Sequence, residues 1–375
     1  MEILLGNAVN KILKQIEKQY SLFKTLIVID DENEEKYYDI VQKLKSKSRK
    51  CEIVSMPINV KCKDIISGLI NEQYSDDVGA IIVLGSNTSI MEVVTDYNTT
   101  IINIITQPYL PLFMYHQDYL VIDDGIMSGC SYRTMAKCYG IIASLGFYLL
   151  EQVFNKAIFY SQIDSEKMIE IEKCLQNLTM LPSLIIKNNL GKHIIVNMCL
   201  QLKELITLDD ITSSFVFKLA NNIVDQSKYK NINMGEALII ASVVGYKMMS
   251  VLLSANVLKP NIGFDCEKRI KIYMNNNDFS LTKISQSFIC DEDIESHIDN
   301  FNKVKSVFNS AFLTYFDMTS KHIKTFKELY YDRCVILNKF LNEKNLLQAI
   351  NSIPETYSIN CFATFIRDVG LLNRF

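Results

Sequence analysis

The run VGAIIVLG (78–85) ends in Gly85, and Ser86, Asn87, Thr88 and Ser89 lead from it into the stretch SIMEVVTDY. A buried strand, a glycine and hydroxyl residues at the head of a helix can bind a phosphate. Free N–H groups and the positive end of the helix dipole favour an anion, and a residue without Cβ lets the backbone approach closely. The same residues also suit an ordinary strand-to-helix turn closed by a side-chain cap. VIDDEN (28–33) places Asp30 and Asp31 at the tip of another strand-like run. A carboxylate there can accept hydrogen bonds from ribose hydroxyls and mildly prefers a ribose without a 2′-phosphate, although acidic residues at strand ends are equally at home in solvated loops. A third group lies in NINMGEALIIASVVGYKMMSVLLSAN (231–256), where Glu236 stands at the mouth of an apolar run whose other charge is Lys247. The helix dipole favours a carboxylate in a first turn, and Gly235 beside it permits close approach of a neighbouring chain.

Other reactive residue types do not gather. The ten cysteines, at 51, 62, 130, 138, 174, 199, 266, 290, 334 and 361, form no C-x-x-C pair, and scattered cysteines in a reducing compartment act as small buried hydrophobes. The four histidines stand at 116, 193, 297 and 322, with none between 193 and 297 and none within a helical turn of another.

Two domains are expected to position these groups, because 375 residues exceed one ordinary core. The balance of 39 basic and 42 acidic residues gives no field suited to nucleic acid. The opening MEILLGNAVNKILKQIEKQY lacks the n-region, apolar run and cleavage site of a signal peptide, and no segment reaches about 18 uncharged apolar residues. A cytoplasmic protein without a membrane span is expected.

Strand-like and helix-like patterns alternate through the first third. TLIVID, CEIVSMPI, VGAIIVLG, TIINIIT and YLVIDD are separated by stretches of helical spacing, which implies right-handed crossovers and a parallel, doubly wound sheet. Residues 1–124 read as an α/β nucleotide-binding-like domain. From 125 to 375 the pattern is helical: YRTMAKCYGIIASLGFYLLEQVFNKAIFY, DSEKMIEIEKCLQNL, LIIKNNLGKHIIVNMCLQLKELI, SSFVFKLANNIVDQ and three or more helices after Asp291. NINMGEALIIASVVGYKMMSVLLSAN (231–256) carries helical periodicity as well. FKELYYDRCVILNKFLNEKNLLQAI offers an apolar face for core packing or for self-association as a homo-oligomer.

The order of these features resembles the superfamily of dehydroquinate synthases and iron-dependent alcohol dehydrogenases. The resemblance rests on a strand ending in Gly-Ser-x-Thr, then IITQP, YLVIDDGIMSG with a helix, and a polar loop entering x-G-E-A. The tail AINSIPETYSINCFATFIRDVGLLNRF is most similar to that of sn-glycerol-1-phosphate dehydrogenases. The resemblance implies an α/β domain and a helical domain with NAD or NADP and a small polyol, or a phosphorylated polyol, in the cleft between them. Asp30, Gly85, Ser86, Asn87, Thr88 and Thr106 would serve the cofactor and Glu236 would lie near the substrate. Gly85, Ser86 and Thr88 match the family's Gly-Ser-Gly-Thr turn, and Asn87 replaces its second glycine.

Family members also hold a divalent metal with one acidic residue and two histidines. Here SGCSYRTMAKCYG (128–140), where the resemblance puts the acid, contains neither Asp nor Glu. Phe217 or Asn221 falls at the first histidine and Met234 at the second. The substrate-side segment PYLPLFMYHQD is short and supplies only His116 and Asp118. The resemblance therefore implies a site without its usual metal, in which Arg133 or Lys137 would face a developing alkoxide. Its alternative is a catalytically degenerate relative that keeps the fold as a binding or partner protein.

Overall fold

The computed structural model describes residues 1–20, 22–30, 35–48, 50–57, 60–159, 165–181, 186–226, 232–259 and 291–329, with Phe362, Phe365 and Val369. These residues divide into two compact units, one formed by Met1–Cys138 with Ile185–Glu204 and the other by Tyr139–Leu184 with Leu205–Phe375.

The first unit is built on six parallel strands, β1 (Glu2–Gly6), β2 (Lys24–Asp30), β3 (Lys50–Met56), β4 (Val78–Gly85), β5 (Thr100–Ile105) and β6 (Tyr119–Asp123), in the spatial order β1-β6-β5-β4-β2-β3. Helices α1 (Ala8–Gln19), α2 (Tyr38–Lys47), α3 (Lys63–Asn71), α4 (Thr88–Val94), α5 (Leu110–Met114) and α6 (Asp124–Ser128) follow the strands in turn. The sheet is the parallel doubly wound one expected from the alternating pattern. In β4 every residue but Gly79 is buried, as a strand covered by helices on both faces requires.

The helix expected in 231–256 is present as Met234–Ser254. The first residues of the chain form β1, paired in parallel with β6 from Glu2 to Gly6, before α1 begins at Ala8. As an edge strand, β1 leaves Ile3 36% and Leu5 43% exposed, and five residues running straight into an amphipathic helix mask the period-two signal. Gly6 has φ +81°, the left-handed conformation that lets the chain turn from strand to helix.

Gly68 provides a test of helix propensity. It lies within α3 and a Cβ built there meets nothing within 4 Å. Gly68→Ala is expected to raise the free energy of unfolding by about 1 kcal/mol, read from urea melts.

Among the described residues the second unit is helical: α7 (Tyr132–Phe159, whose first turns belong to the first unit), α8 (Ser165–Thr179), α10 (Leu208–Ser213), α11 (Phe215–Gln226), α12 (Met234–Ser254) and α13 (Asp291–Leu329). The intervening helix α9 (Asn189–Leu202) belongs to the first unit. An aromatic cluster fills the second core: Phe154 meets Phe301, Phe308, Phe362 and Phe365 at centroid distances of 5.3 to 5.9 Å. Such tilted pairs place ring edges against ring faces.

The central helix α12 buries fourteen of its 21 residues. By length and composition alone it could cross a membrane, but an all-round apolar helix enclosed by others is also what a large core contains. At its start it crosses α7 at closest range, where a Cβ added to Gly140 would lie 2.6 Å from the Gly235 Cα.

Of the three or more helices expected after Asp291, the described residues hold α13, which continues for 39 residues, and most of the chain beyond it lies outside them. No Gly or Pro interrupts 291–329, so nothing in the chain stops it. The self-association candidate FKELYYDRCVILNKFLNEKNLLQAI lies mostly outside the described residues, as do Asp31, most of DQSKYKNIN and most of the tail.

Candidate functional site at the carboxyl end of the sheet

Strand order locates the site. The chain goes from β2 outward to β3 and then returns across β2 to β4, after which β5 and β6 build in the opposite direction. The crevice beyond the carboxyl ends of β2 and β4 is therefore a topological switch point, where open α/β sheets take their ligands. Asp30 ends β2, Gly85 ends β4 and Thr106 follows β5. The fold thus gathers the candidate cofactor residues at one end of one sheet.

The turn after β4 is tied together from within. The Thr106 N–H donates to the Gly85 carbonyl at 3.4 Å. Ser86, Asn87, Thr88 and Ser89 are half-buried. Asn87 caps α4: its Oδ1 accepts from the Ser89 N–H at 3.0 Å, while its Nδ2 donates to the Val60 carbonyl at 3.0 Å. Its φ of −85° lies in the ordinary extended region, so the left-handed freedom of the family's second glycine is not used here. The side-chain oxygen instead occupies a helix-terminal N–H that a phosphate would otherwise claim. Asn87→Gly is expected to cost a few tenths of a kcal/mol in stability, read from urea melts against wild type.

A chain of contacts leads from this turn along the sheet end. The Thr106 carbonyl accepts from the Cys130 thiol at 3.0 Å. Burial raises the thiol's pKa, and the positive charges of Lys192 and Lys36 oppose that rise. Lys192, on α9, is itself buried and donates to the Ser128 carbonyl at 2.8 Å. Sequence reasoning missed Lys192, because LGKHIIVNMCL shows a helix without showing that it returns to the α/β unit.

The other candidates are placed differently. Arg133 and Lys137 sit in the first turns of α7, with Arg133 exposed and the Lys137 ammonium 4.5 Å from the centroid of the Tyr109 ring. Burial lowers the Lys137 pKa, and the ring face supplies the compensating cation–π contact. Glu236 belongs to the second unit, fully buried. Its carboxylate accepts from the Asn233 N–H at 2.8 Å, and Asn233 Oδ1 accepts from the Glu236 N–H at 3.0 Å. This is a reciprocal capping box, which accounts for a carboxylate at the head of an apolar helix.

His116 and Asp118, the substrate-side stand-ins, lie at the opposite end of the sheet. Asp118 Oδ2 accepts from the Ile101 N–H near the start of β5 at 2.8 Å. Both residues line a shallow polar hollow of about 580 Å³ with Thr95–Ile101. It faces away from the switch point, because the amino ends of parallel strands all lie on that side.

The described residues offer no ready ligand set for the divalent metal that members of the resembled family hold. Among the described residues no three His, Cys, Asp or Glu side chains assemble into a possible ion site. Phe217 and Asn221 lie on α11 and Met234 opens α12; a phenyl ring, an amide and a thioether are poor ligands for a hard or borderline divalent ion.

A parallel doubly wound unit with its switch-point crevice, combined with a helical unit, is the dehydroquinate synthase-like fold also found in alcohol dehydrogenases. In particular, the chain is similar to the alcohol dehydrogenase ADH/D1 from an archaeal halo-thermophile of a Red Sea brine pool. A mutant of that enzyme superimposes with a TM-score of 0.52 at 14% identity, over 94% of this chain and 89% of that one. A ligand-bound structure gives a TM-score of 0.53 at 12% identity, over 100% and 97%. A glycerol dehydrogenase from Schizosaccharomyces pombe matches with a TM-score of 0.48 at 12% identity, over 87% and 90%. No protein-family model matches the chain, and neither does any curated protein.

Proposed function

We propose that the protein is an NAD(P)-dependent oxidoreductase of a small polyol or its phosphate, similar to glycerol-1-phosphate dehydrogenases and working without the divalent metal of that family. The observation that carries this reading is the position of the Gly85-Ser86-Asn87-Thr88 turn, at the switch point of a fold it shares with an alcohol dehydrogenase. Gly85, Ser86 and Thr88 would approach the pyrophosphate, Asn87 would have to exchange its cap for it, Thr106 would border it, and Asp30 would stand beside the adenosine ribose. When bound, the dinucleotide supplies the hydride. The chain's own part is to orient the carbonyl or hydroxyl carbon and to stabilise charge on its oxygen. Without a metal, that stabilisation falls to lysine or arginine, and Arg133 and Lys137 are the sequence-derived candidates.

Calorimetric titration with NADH and NADPH tests the reading, together with absorbance-monitored oxidation of the reduced cofactor by dihydroxyacetone phosphate and dihydroxyacetone, with and without added Zn²⁺. Binding and metal-independent turnover are expected; absence of dinucleotide binding overturns it. A second reading, a degenerate relative acting as a binding or partner protein, draws support from Phe217, Asn221 and Met234 at the expected ligand positions. Tight dinucleotide binding with no hydride transfer to either substrate would favour it.

A further inference from the structure

Lys192 is 6% exposed, and its one hydrogen bond among the described residues goes to a neutral acceptor, the Ser128 carbonyl, at 2.8 Å. An ammonium carries three donors, and no carboxylate among the described residues pairs with this one. A buried cation without a counter-charge is unfavourable unless an anion completes the site. Lys36 is a second positive charge acting on the same Cys130 thiol, so the local field favours an anion more strongly. Through Cys130, Thr106 and Gly85, Lys192 is joined by hydrogen bonds and charge to the turn at the head of α4. It also lies in the opening turns of the fourteen-residue helix α9, whose dipole adds to the attraction.

We propose that Lys192 is the residue with which the first unit takes up a phosphate group, carried either by the substrate or by the dinucleotide. The identity of the carrier rests on the oxidoreductase reading above; the anion site itself does not. A lysine holds phosphate as a point charge with rotatable donors. Lys192 can therefore keep Ser128 as one partner and offer the remaining two donors to phosphate oxygens.

The test uses the full chain as wild type, Lys192→Met, Lys192→Arg and the exposed-surface control Lys14→Met, titrated with inorganic phosphate at constant ionic strength by calorimetry and thermal shift. Wild type and Lys14→Met are expected to bind phosphate alike, Lys192→Met about tenfold or more weakly, and Lys192→Arg within about threefold of wild type, since charge-assisted bonds dominate such sites. If Lys192→Met does not fold, Lys192→Gln, which keeps a donor for the Ser128 carbonyl, carries the comparison. Parallel titrations separate the carriers. A loss confined to dihydroxyacetone phosphate assigns the group to the substrate, and a loss confined to NADH assigns it to the pyrophosphate. Phosphate binding that is undetectable in wild type, or equal in wild type and Lys192→Met, overturns the inference. Lys192-dependent phosphate binding in a protein that binds neither NADH nor NADPH would leave the anion site standing and remove the oxidoreductase reading.

Discussion

Gly140→Ala is expected to destabilise the second unit by about 3 kcal/mol, the upper range for overpacking a close-packed interior. The added Cβ would stand 2.6 Å from the Gly235 Cα and 2.7 Å from its carbonyl carbon. Both obstacles are backbone, so no rotamer change can relieve them; α7 and α12 must separate. Separation would open the contact that anchors the core helix of the unit, where Gly235 and Glu236 are buried beside it. Equilibrium urea unfolding with far-ultraviolet circular dichroism reads the effect. A loss under 1 kcal/mol would show that the two helices slide apart easily. Gly68→Ala, where nothing meets the new methyl group, is the control for composition alone.

The second large effect is a pH dependence centred on Glu151. This carboxyl is buried in α7, and its Oε2 accepts from the N–H of Phe215, the first residue of α11, at 2.9 Å. Burial pushes its pKa from 4.5 up to about 7, against the opposing pull of the Phe215 N–H and the Lys218 charge. A carboxyl whose folded pKa lies above its unfolded value binds its proton more tightly in the folded state. Its contribution is therefore fully present below the unfolded pKa and is lost as pH rises from about 4.5 towards 7. The difference amounts to about 3 kcal/mol as an upper order of magnitude.

Glu151→Gln keeps a carbonyl oxygen for the Phe215 N–H but cannot ionise. It is expected to flatten the stability profile across that window and to be more stable than wild type at pH 8. Glu151→Ala should be less stable at every pH, because it orphans the buried Phe215 N–H and leaves a void. Thermal melts of the three proteins from pH 4 to 8 measure this; parallel profiles for wild type and Glu151→Gln would remove Glu151 as the source.

The parallel sheet was legible because β-branched runs such as TLIVID and VGAIIVLG, spaced by helical stretches, admit few other arrangements. The turn after Gly85 was legible for the same reason, since strand, glycine and hydroxyls are adjacent in sequence. Local pattern does not carry packing partners. Glu151 in LLEQVF resembles a surface charge on a helix until Phe215 is brought to it from 64 residues away. Lys192 resembles one solvated position of an amphipathic helix until α9 is seen beside α6. Asn87 illustrates a subtler limit: its type suggests tolerance of a positive φ, yet its side chain is better placed as a cap with φ −85°. Glu236 was correctly read as a first-turn carboxylate, but the reciprocal partner Asn233 defines what that carboxylate does. Strand β1 was hidden because, at a sheet edge, only Leu4 of its five residues is buried.

The return of α9 to the first unit has a consequence for biosynthesis. The segment that completes the sheet unit ends at Glu204, while residues 139–184 between its two parts belong to the other unit. A ribosome adding roughly 5–20 residues per second therefore leaves the six-stranded unit without α9 for several seconds while α7 and α8 are made. During that interval the surface destined for α9 is bare, and the first unit reaches its full packing only after part of the second has been synthesised.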